Sequence, residues 1–256
     1  MKKQLLAALL AALLLLSLTA CAKTHQTTSD TVDADVTVPS LETSPAGEAP
    51  ADGEAAEDAP AAAPVEVNMD EILAEIDSKS VSDFSVADEM TEYVKISITG
   101  YGDVVIRLRP DIAPISAANF QALVGQGFYD GLSFHRVYPG FMIQGGDPEG
   151  TGMGGSDQTI RGEFASNGIE NNLSHVRGVL SMARAQDPDS ASSQFFLMHA
   201  DSDFLDGNYA AFGYVVAGLD TIDKVCQVEL TTNAYGEQSV PVTPVIMESA
   251  VFVTPN

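Results

Sequence analysis

Phe134-His135-Arg136-Val137-Tyr138-Pro139-Gly140-Phe141-Met142-Ile143-Gln144-Gly145-Gly146-Asp147 decides how the rest of this chain reads. Val137, Phe141 and Ile143 share one parity, and Phe134, Arg136, Met142 and Gln144 share the other. Pro139-Gly140 between them marks a bend or bulge. A strand through this segment presents Arg136, Met142 and Gln144 to one surface. A permanent cation, a flexible thioether and an amide beside aromatic rings make a binding surface rather than a plain core.

Outward from this stretch the chain is a series of short β-branched runs. Tyr93–Thr99 and Asp103–Leu108 alternate in hydropathy and are joined by Gly100-Tyr101-Gly102, which predicts a hairpin. Ser116–Val124 follows Pro110 and Pro114 as a helix with Ile115, Phe120, Leu123 and Val124 inward, closed by Gly125 and Gly127. Val179–Arg184, Gln194–Met198, Phe212–Val216 and Val245–Val253 read as further strands, with a brief helix at Thr221–Val225. Many short strands with Gly-rich turns and few helices indicate a mainly-β barrel or sandwich.

Conventional reaction chemistry finds few residues to carry it. His25, His135, His175 and His199 have no second His or Cys at ligand spacing, so no metal site is expected. Asp201-Ser202-Asp203 with Asp206-Gly207 lacks the spacing and the twelfth-place Glu of a calcium loop and reads as a turn. Gly150–Ser156 lacks the Gly-Lys-Ser/Thr of a phosphate loop and reads as a compact loop with positive φ. Ser181, Ser192 and Ser193 sit in no nucleophile elbow, so nothing supports a hydrolase.

The segment FHRVYPGFMIQGGDP, together with Ser192-Ser193-Gln194-Phe195-Phe196 and Leu205-Asp206-Gly207, resembles the cyclophilin family of peptidyl-prolyl isomerases, from about Tyr93 to Val253. The resemblance implies an eight-stranded antiparallel barrel capped by helices and catalysis of X-Pro isomerisation without a cofactor. It assigns Arg136 as the donor to the twisting amide, with Phe141 and Gln144 also catalytic. Met142, Phe196 and Leu205 complete a proline pocket, Gln194 is a polar contact, and Gly152 lines the groove. Ala183, Arg184 and Ala185 form the strand along which the peptide lies. Phe204 stands where well-known eukaryotic members have Trp, Tyr209 where they have His, and Arg184 replaces a common Asn. Phe204 and Tyr209 remain expected substrate contacts, and loss of the indole N–H implies weakened cyclosporin binding. A binding module of the same fold, holding proline-containing segments as a chaperone or adaptor with slow or irrelevant turnover, is the alternative.

The N-terminal third is of another kind. Met1-Lys2-Lys3 and the apolar run Leu5–Leu16 read as a signal peptide over residues 1–20, and Leu18-Thr19-Ala20-Cys21 resembles a bacterial lipobox with Cys21 the lipidated residue. Thr24–Asn68 is Ala, Pro, Ser, Thr, Asp and Glu-rich without Lys or Arg, too polar to bury a core. Residues 21–68 therefore read as an extended tether, on the order of 100 Å long at ~3.1 Å per residue. Glycosylation or partner docking on that stretch is a second reading.

Residues 69–90 form a short helix and linker with Ile72, Leu73 and Ile76 at helical spacing, and residues 91–256 form the isomerase domain. These features predict an extracytoplasmic lipoprotein on the bacterial cell membrane, a monomer whose partners are proline-containing segments of secreted or envelope proteins. A formal charge of −24 excludes nucleic acid as a partner. With Cys21 lipidated, Cys226 is the one remaining thiol, expected as a buried small hydrophobe.

Overall fold

The hairpin predicted around Gly100 is present in the sheet. Tyr93–Ile98 and Gly102–Leu108 pair antiparallel from Tyr93↔Arg107 to Ile98↔Gly102. Val94, Ile96, Ile98, Val104, Ile106 and Leu108 all point into the core. The computed structural model describes residues 65–256, so the signal peptide, Cys21 and most of the tether lie outside the described residues.

In chain order the elements are α1 (Met69–Glu75), β1 (Phe84–Val86), β2 (Tyr93–Ile98), β3 (Gly102–Leu108), α2 (Pro114–Gly125), β4 (Arg136–Tyr138), β5 (Met142–Gly145), β6 (Val179–Met182), β7 (Phe195–Met198), β8 (Ala211–Ala217), α3 (Leu219–Val225), β9 (Leu230–Thr232), β10 (Gln238–Pro241) and β11 (Met247–Pro255). Nine strands form one antiparallel sheet in the order β1-β11-β2-β3-β8-β6-β7-β5-β4, and β9 and β10 pair separately.

The mainly-β antiparallel fold is as expected, but the closed eight-stranded barrel is corrected to this nine-stranded, sandwich-like sheet. Its seam is a single bridge, Ser133↔Ile246, flanked by Phe134 N–H donating to Val245 O and Met247 N–H donating to Leu132 O, both at 2.8 Å. β11 shifts register against β2 between Met247 and Ser249, beside the seam.

β7 shows why both faces of the sheet are apolar. All four of its residues are buried; Phe195 and Leu197 enter the main core, while Phe196 and Met198 enter a second cluster on the opposite face. The main core stacks Phe195 edge-on against Phe120, Tyr129 and Phe134, at centroid distances of 5.3, 5.4 and 6.0 Å. The second cluster holds Met142, Phe196 and Leu205, and the candidate site lies on that face.

Two helices correct the sequence reading. In α2 the inward residues are Ser116, Ala117, Phe120, Leu123 and Val124, whereas Ile115 is 39% exposed because it falls on the helix flank beside Pro114. α2 begins with Ala113 and Pro114 and has no side-chain cap of its own. Glu163, fully buried, supplies one from a distant loop, accepting from Ile115 N–H at 2.9 Å and from Ser116 N–H and Oγ at 2.7 Å each.

α1 packs on the domain through Ile72, while Leu73 points to solvent. Glu75 receives Arg107 Nη1 at 3.0 and 2.8 Å and also the Tyr214 hydroxyl. Asp77 accepts from Gly218 and Leu219 N–H at the start of α3, at 2.8 and 3.0 Å. The 69–90 segment thus contributes a docked helix and the outer strand β1.

Candidate functional site

β4 and β5 are the arms of a hairpin whose turn runs through Pro139-Gly140, with Gly140 at φ 82° and Phe141 N–H donating to Tyr138 O at 3.0 Å. Arg136 stands directly opposite Gln144 in this ladder, and Val137 opposite Ile143. Alternation sends Val137 and Ile143 into the main core and turns Arg136, Met142 and Gln144 to the other face. The proposed bend is therefore a hairpin turn.

Arg136 is held on two sides. Its Nη1 lies 3.4 Å from Gln144 Oε1; Gln144 Nε2 donates to Gln194 Oε1 at 2.8 Å, and Gln194 Nε2 donates to the carbonyls of Gly154 at 2.7 Å and Gly152 at 3.2 Å. On the other side Nε and Nη2 donate to the two oxygens of Glu237, 2.7 Å each. That guanidinium holds the Glu237 carboxyl below the ordinary carboxylate range, against the opposing effect of burial.

The loop that Gln194 reaches is organised by Asp147. Its carboxylate accepts from the N–H groups of Glu149, Thr151 and Gly152 at 2.8, 2.9 and 2.6 Å. Burial acts to raise the Asp147 pKa, but these backbone donors outweigh it and leave the group below its usual range. Gly146 precedes it at φ 85°, and a Cβ there would collide with the Ser193 carbonyl oxygen.

Beside Arg136 opens a cavity of about 630 Å³. Buried Met142, Phe196 and Leu205 form its floor, and Phe141, Phe204 and Tyr209 rise around it. Phe141 and Phe204 meet at a tilt with centroids 5.6 Å apart, and Tyr209 meets Phe196 edge-on at 5.9 Å. Gln144, Gly152, Ala183 and Arg184 also line it. Of the expected site residues, Gln194 stands behind the cavity, joined to it by Gln144, and Ala185 is outside it.

Val179–Arg184, read as one strand, stops at Met182 because the chain turns into the Asp/Pro/Ser loop. Ala183 N–H still donates to Gln194 O at 3.0 Å, and Ala185 N–H to Ser190 Oγ at 2.9 Å. The Arg184 guanidinium lies between the rings of Phe164 and Tyr209, 4.9 Å from each centroid, and so buttresses Tyr209.

Three features were missing from the sequence reading. Glu237 lies 101 residues from Arg136 in a segment with no recognisable motif, and no local signal pairs them. His135 lines the cavity near Gly152, and neither ring nitrogen has a hydrogen-bond partner; burial lowers its pKa. Beneath the floor, His175 stacks on Phe196 at 6.1 Å, its Nδ1 2.8 Å from Asp206 Oδ1 and its Nε2 2.9 Å from Ser181 Oγ.

That Ser/His/Asp chain is not a hydrolytic triad, because Ser181 and His175 are only 0% and 1% exposed and no substrate reaches them. Burial lowers the His175 pKa more than Asp206 raises it, which keeps the ring neutral at neutral pH. Among the described residues no cluster of three or more His, Cys, Asp or Glu is placed to hold a metal ion. Cys226 is buried, its thiol pushed up to about 12 chiefly by burial. A second cavity of about 640 Å³ lies between α1 and Arg107, and both of its arginines are already paired, Arg107 with Glu75 and Glu92 and Arg109 with Asp111.

A family model described as "Cyclophilin type peptidyl-prolyl cis-trans isomerase/CLD" matches residues 93–251. A peptidyl-prolyl cis-trans isomerase of Acinetobacter baylyi is 44% identical over 171 residues, covering 64% of this chain and 86% of the relative. Peptidyl-prolyl cis-trans isomerase A of Dickeya dadantii is 39% identical over 180 residues, 68% of this chain and 92% of its own. Among solved structures, a Cryptosporidium parvum cyclophilin-type isomerase crystallised in the presence of the dipeptide Ala-Pro superposes with a TM-score of 0.56 at 31% identity, over 64% of this chain and 99% of that one. With the sheet, the cavity and these likenesses in agreement, the chain belongs to the cyclophilin-type peptidyl-prolyl cis-trans isomerases.

Proposed function

We propose that the protein catalyses cis/trans isomerisation of X-Pro bonds in polypeptides, with Arg136 stabilising the twisted amide over the Met142, Phe196 and Leu205 floor. The observation that carries this reading is the juxtaposition itself: a fixed guanidinium at the rim of a cavity with an apolar floor. The reaction breaks no covalent bond. Its barrier of ~18–20 kcal/mol is the loss of amide resonance as the C–N bond twists.

In the planar ground state the prolyl nitrogen is a poor acceptor. At the twisted transition state it becomes pyramidal and regains a lone pair, so a donor aimed at it stabilises that state selectively. The apolar floor grips the ring while the rest of the peptide rotates. Exchange NMR on an Ala-Pro peptide with the full chain tests the reading. Faster interconversion at catalytic protein concentration supports it; an unchanged rate with a folded domain returns the fold to the role of a peptide-holding module.

The same reading places the enzyme outside the cytoplasm, anchored by acylated Cys21 and acting on secreted or envelope proteins whose X-Pro bonds otherwise isomerise in tens to hundreds of seconds. Acyl label should be incorporated by the wild-type chain and lost in Cys21→Ser. Label that persists in the variant overturns the anchor.

Phe204 gives a prediction about inhibitors. It is 67% exposed at the rim and carries no N–H donor. Cyclosporin should therefore bind weakly, and Phe204→Trp should tighten binding about tenfold, the worth of one hydrogen bond. Calorimetry checks this; nanomolar affinity in the wild type contradicts it.

A further inference from the structure

We propose that Glu237 is a positioning residue for the isomerase reaction: from the β9–β10 hairpin it grips Arg136 side-on and turns the remaining guanidinium edge toward the prolyl nitrogen. This rests on the role of Arg136 proposed above.

The grip is specific in geometry. A guanidinium offers five N–H donors in a rigid plane, and the Glu237 carboxylate takes the Nε and Nη2 side in a two-pronged fork, both arms 2.7 Å. Nη1 and the second Nη2 hydrogen are left on the other edge, where Nη1 meets Gln144 Oε1 at 3.4 Å. That contact is long. Without Glu237, a four-torsion side chain one-third exposed to solvent has only Gln144 and the face of Phe141, 5.9 Å away, to orient it.

Glu237 is itself fixed. β9 and β10 pair with each other and with no strand of the main sheet, and β10 lies against β4 beside Arg136. Between them Asn233 Oδ1 accepts from the N–H groups of Tyr235 and Glu237 at 2.9 and 3.0 Å, and Asn233 N–H donates to Glu237 O at 2.8 Å. Gly236 takes φ 85° and donates to Asn233 O at 3.1 Å. The tip is therefore a tight, self-bonded loop that delivers the carboxylate from a preset backbone position. Asn233, Ala234 and Tyr235 of the same tip also line the cavity, so the arm forms its far wall.

A carboxylate on Arg136 could act in the opposite sense, by damping the positive charge presented to the nitrogen. The two effects have opposite signs in kcat, which makes them separable. The full chain is compared as wild type, Arg136→Ala, Glu237→Ala and Glu237→Gln in the Ala-Pro peptide assay, with kcat and KM resolved. The Arg136 Nε–H resonance is followed by NMR, and melting is recorded for each variant.

Glu237→Ala is expected to lower kcat about tenfold with KM changed by less than about twofold, and to move the Arg136 Nε–H signal to the position of a solvent-exposed arginine. Glu237→Gln keeps the shape and one acceptor and should fall between Ala and wild type. It also serves as the test if the Ala variant melts early. An unchanged or raised kcat in both variants overturns the positioning role while leaving the isomerase reading intact. An inert wild type removes both.

Discussion

Arg136→Ala is expected to lower kcat/KM on an Ala-Pro peptide by about a hundredfold to a thousandfold, the usual cost of removing one donor aimed at a transition-state charge. The loss should sit mainly in kcat, because the floor of Met142, Phe196 and Leu205, proposed to grip the proline ring, is left untouched. The substitution also leaves the Glu237 carboxylate without its 2.7 Å partners, adding negative charge at the rim. Arg136→Lys is the control: it keeps a cation but cannot fill the Nε and Nη2 fork, and should recover only a small part of the rate. Both partners are about one-third exposed or less, so melting should change little and the two effects remain separable. A variant within about tenfold of wild type would remove Arg136 from the centre of the mechanism.

Glu163→Ala is expected to be strongly destabilising. The carboxylate is 1% exposed and serves the first turn of α2, where Ala113 and Pro114 provide no cap. Its removal strands Ser116 N–H and Oγ, both buried, together with Ile115 N–H, and takes an anion from the positive end of the helix dipole. We expect a loss of about 3–5 kcal/mol, seen as a fall in melting temperature of about 10 °C or more. Glu163→Gln keeps one acceptor but points an NH₂ group at a donor, so it should recover only part. Denaturant unfolding with a loss under about 1 kcal/mol would show that α2 finds another cap.

What could be read from the sequence and what could not divide along a physical line. Alternation within the paired residues 136–138 and 142–144 is local and strong, so the face of Arg136, Met142 and Gln144 and the face of Val137 and Ile143 were legible in the sequence, whereas Phe134 and Phe141, outside that pairing, break the parity: Phe134 enters the main core and Phe141 lines the cavity. The cavity residues were legible only as a joint motif, since Met142, Phe196 and Leu205 taken singly look like core and are as buried as core. Glu237 and Glu163 were not legible. Each acts through a single side chain reaching an element about 50 to 100 residues away, and nothing in the flanking residues records the destination.

β1 was missed for a related reason. Three residues have no periodicity to detect, and their strand character comes wholly from lying along β11. The number and closure of the strands also escaped prediction, because the seam rests on one bridge, Ser133↔Ile246, which lies outside the strands.

The two ends of the sheet order have a bearing on how such a protein could live among unfolded chains. An open strand edge is a row of free backbone donors and acceptors, able to seize any extended polypeptide regardless of its side chains. Here one end strand, β1, is three residues long, and the other, β4, is equally short and has β10 packed against it. The nine-residue β11, whose outer edge would be the longest template, is partly covered by β1. Such blunted margins leave the described sheet no long open template for β-aggregation.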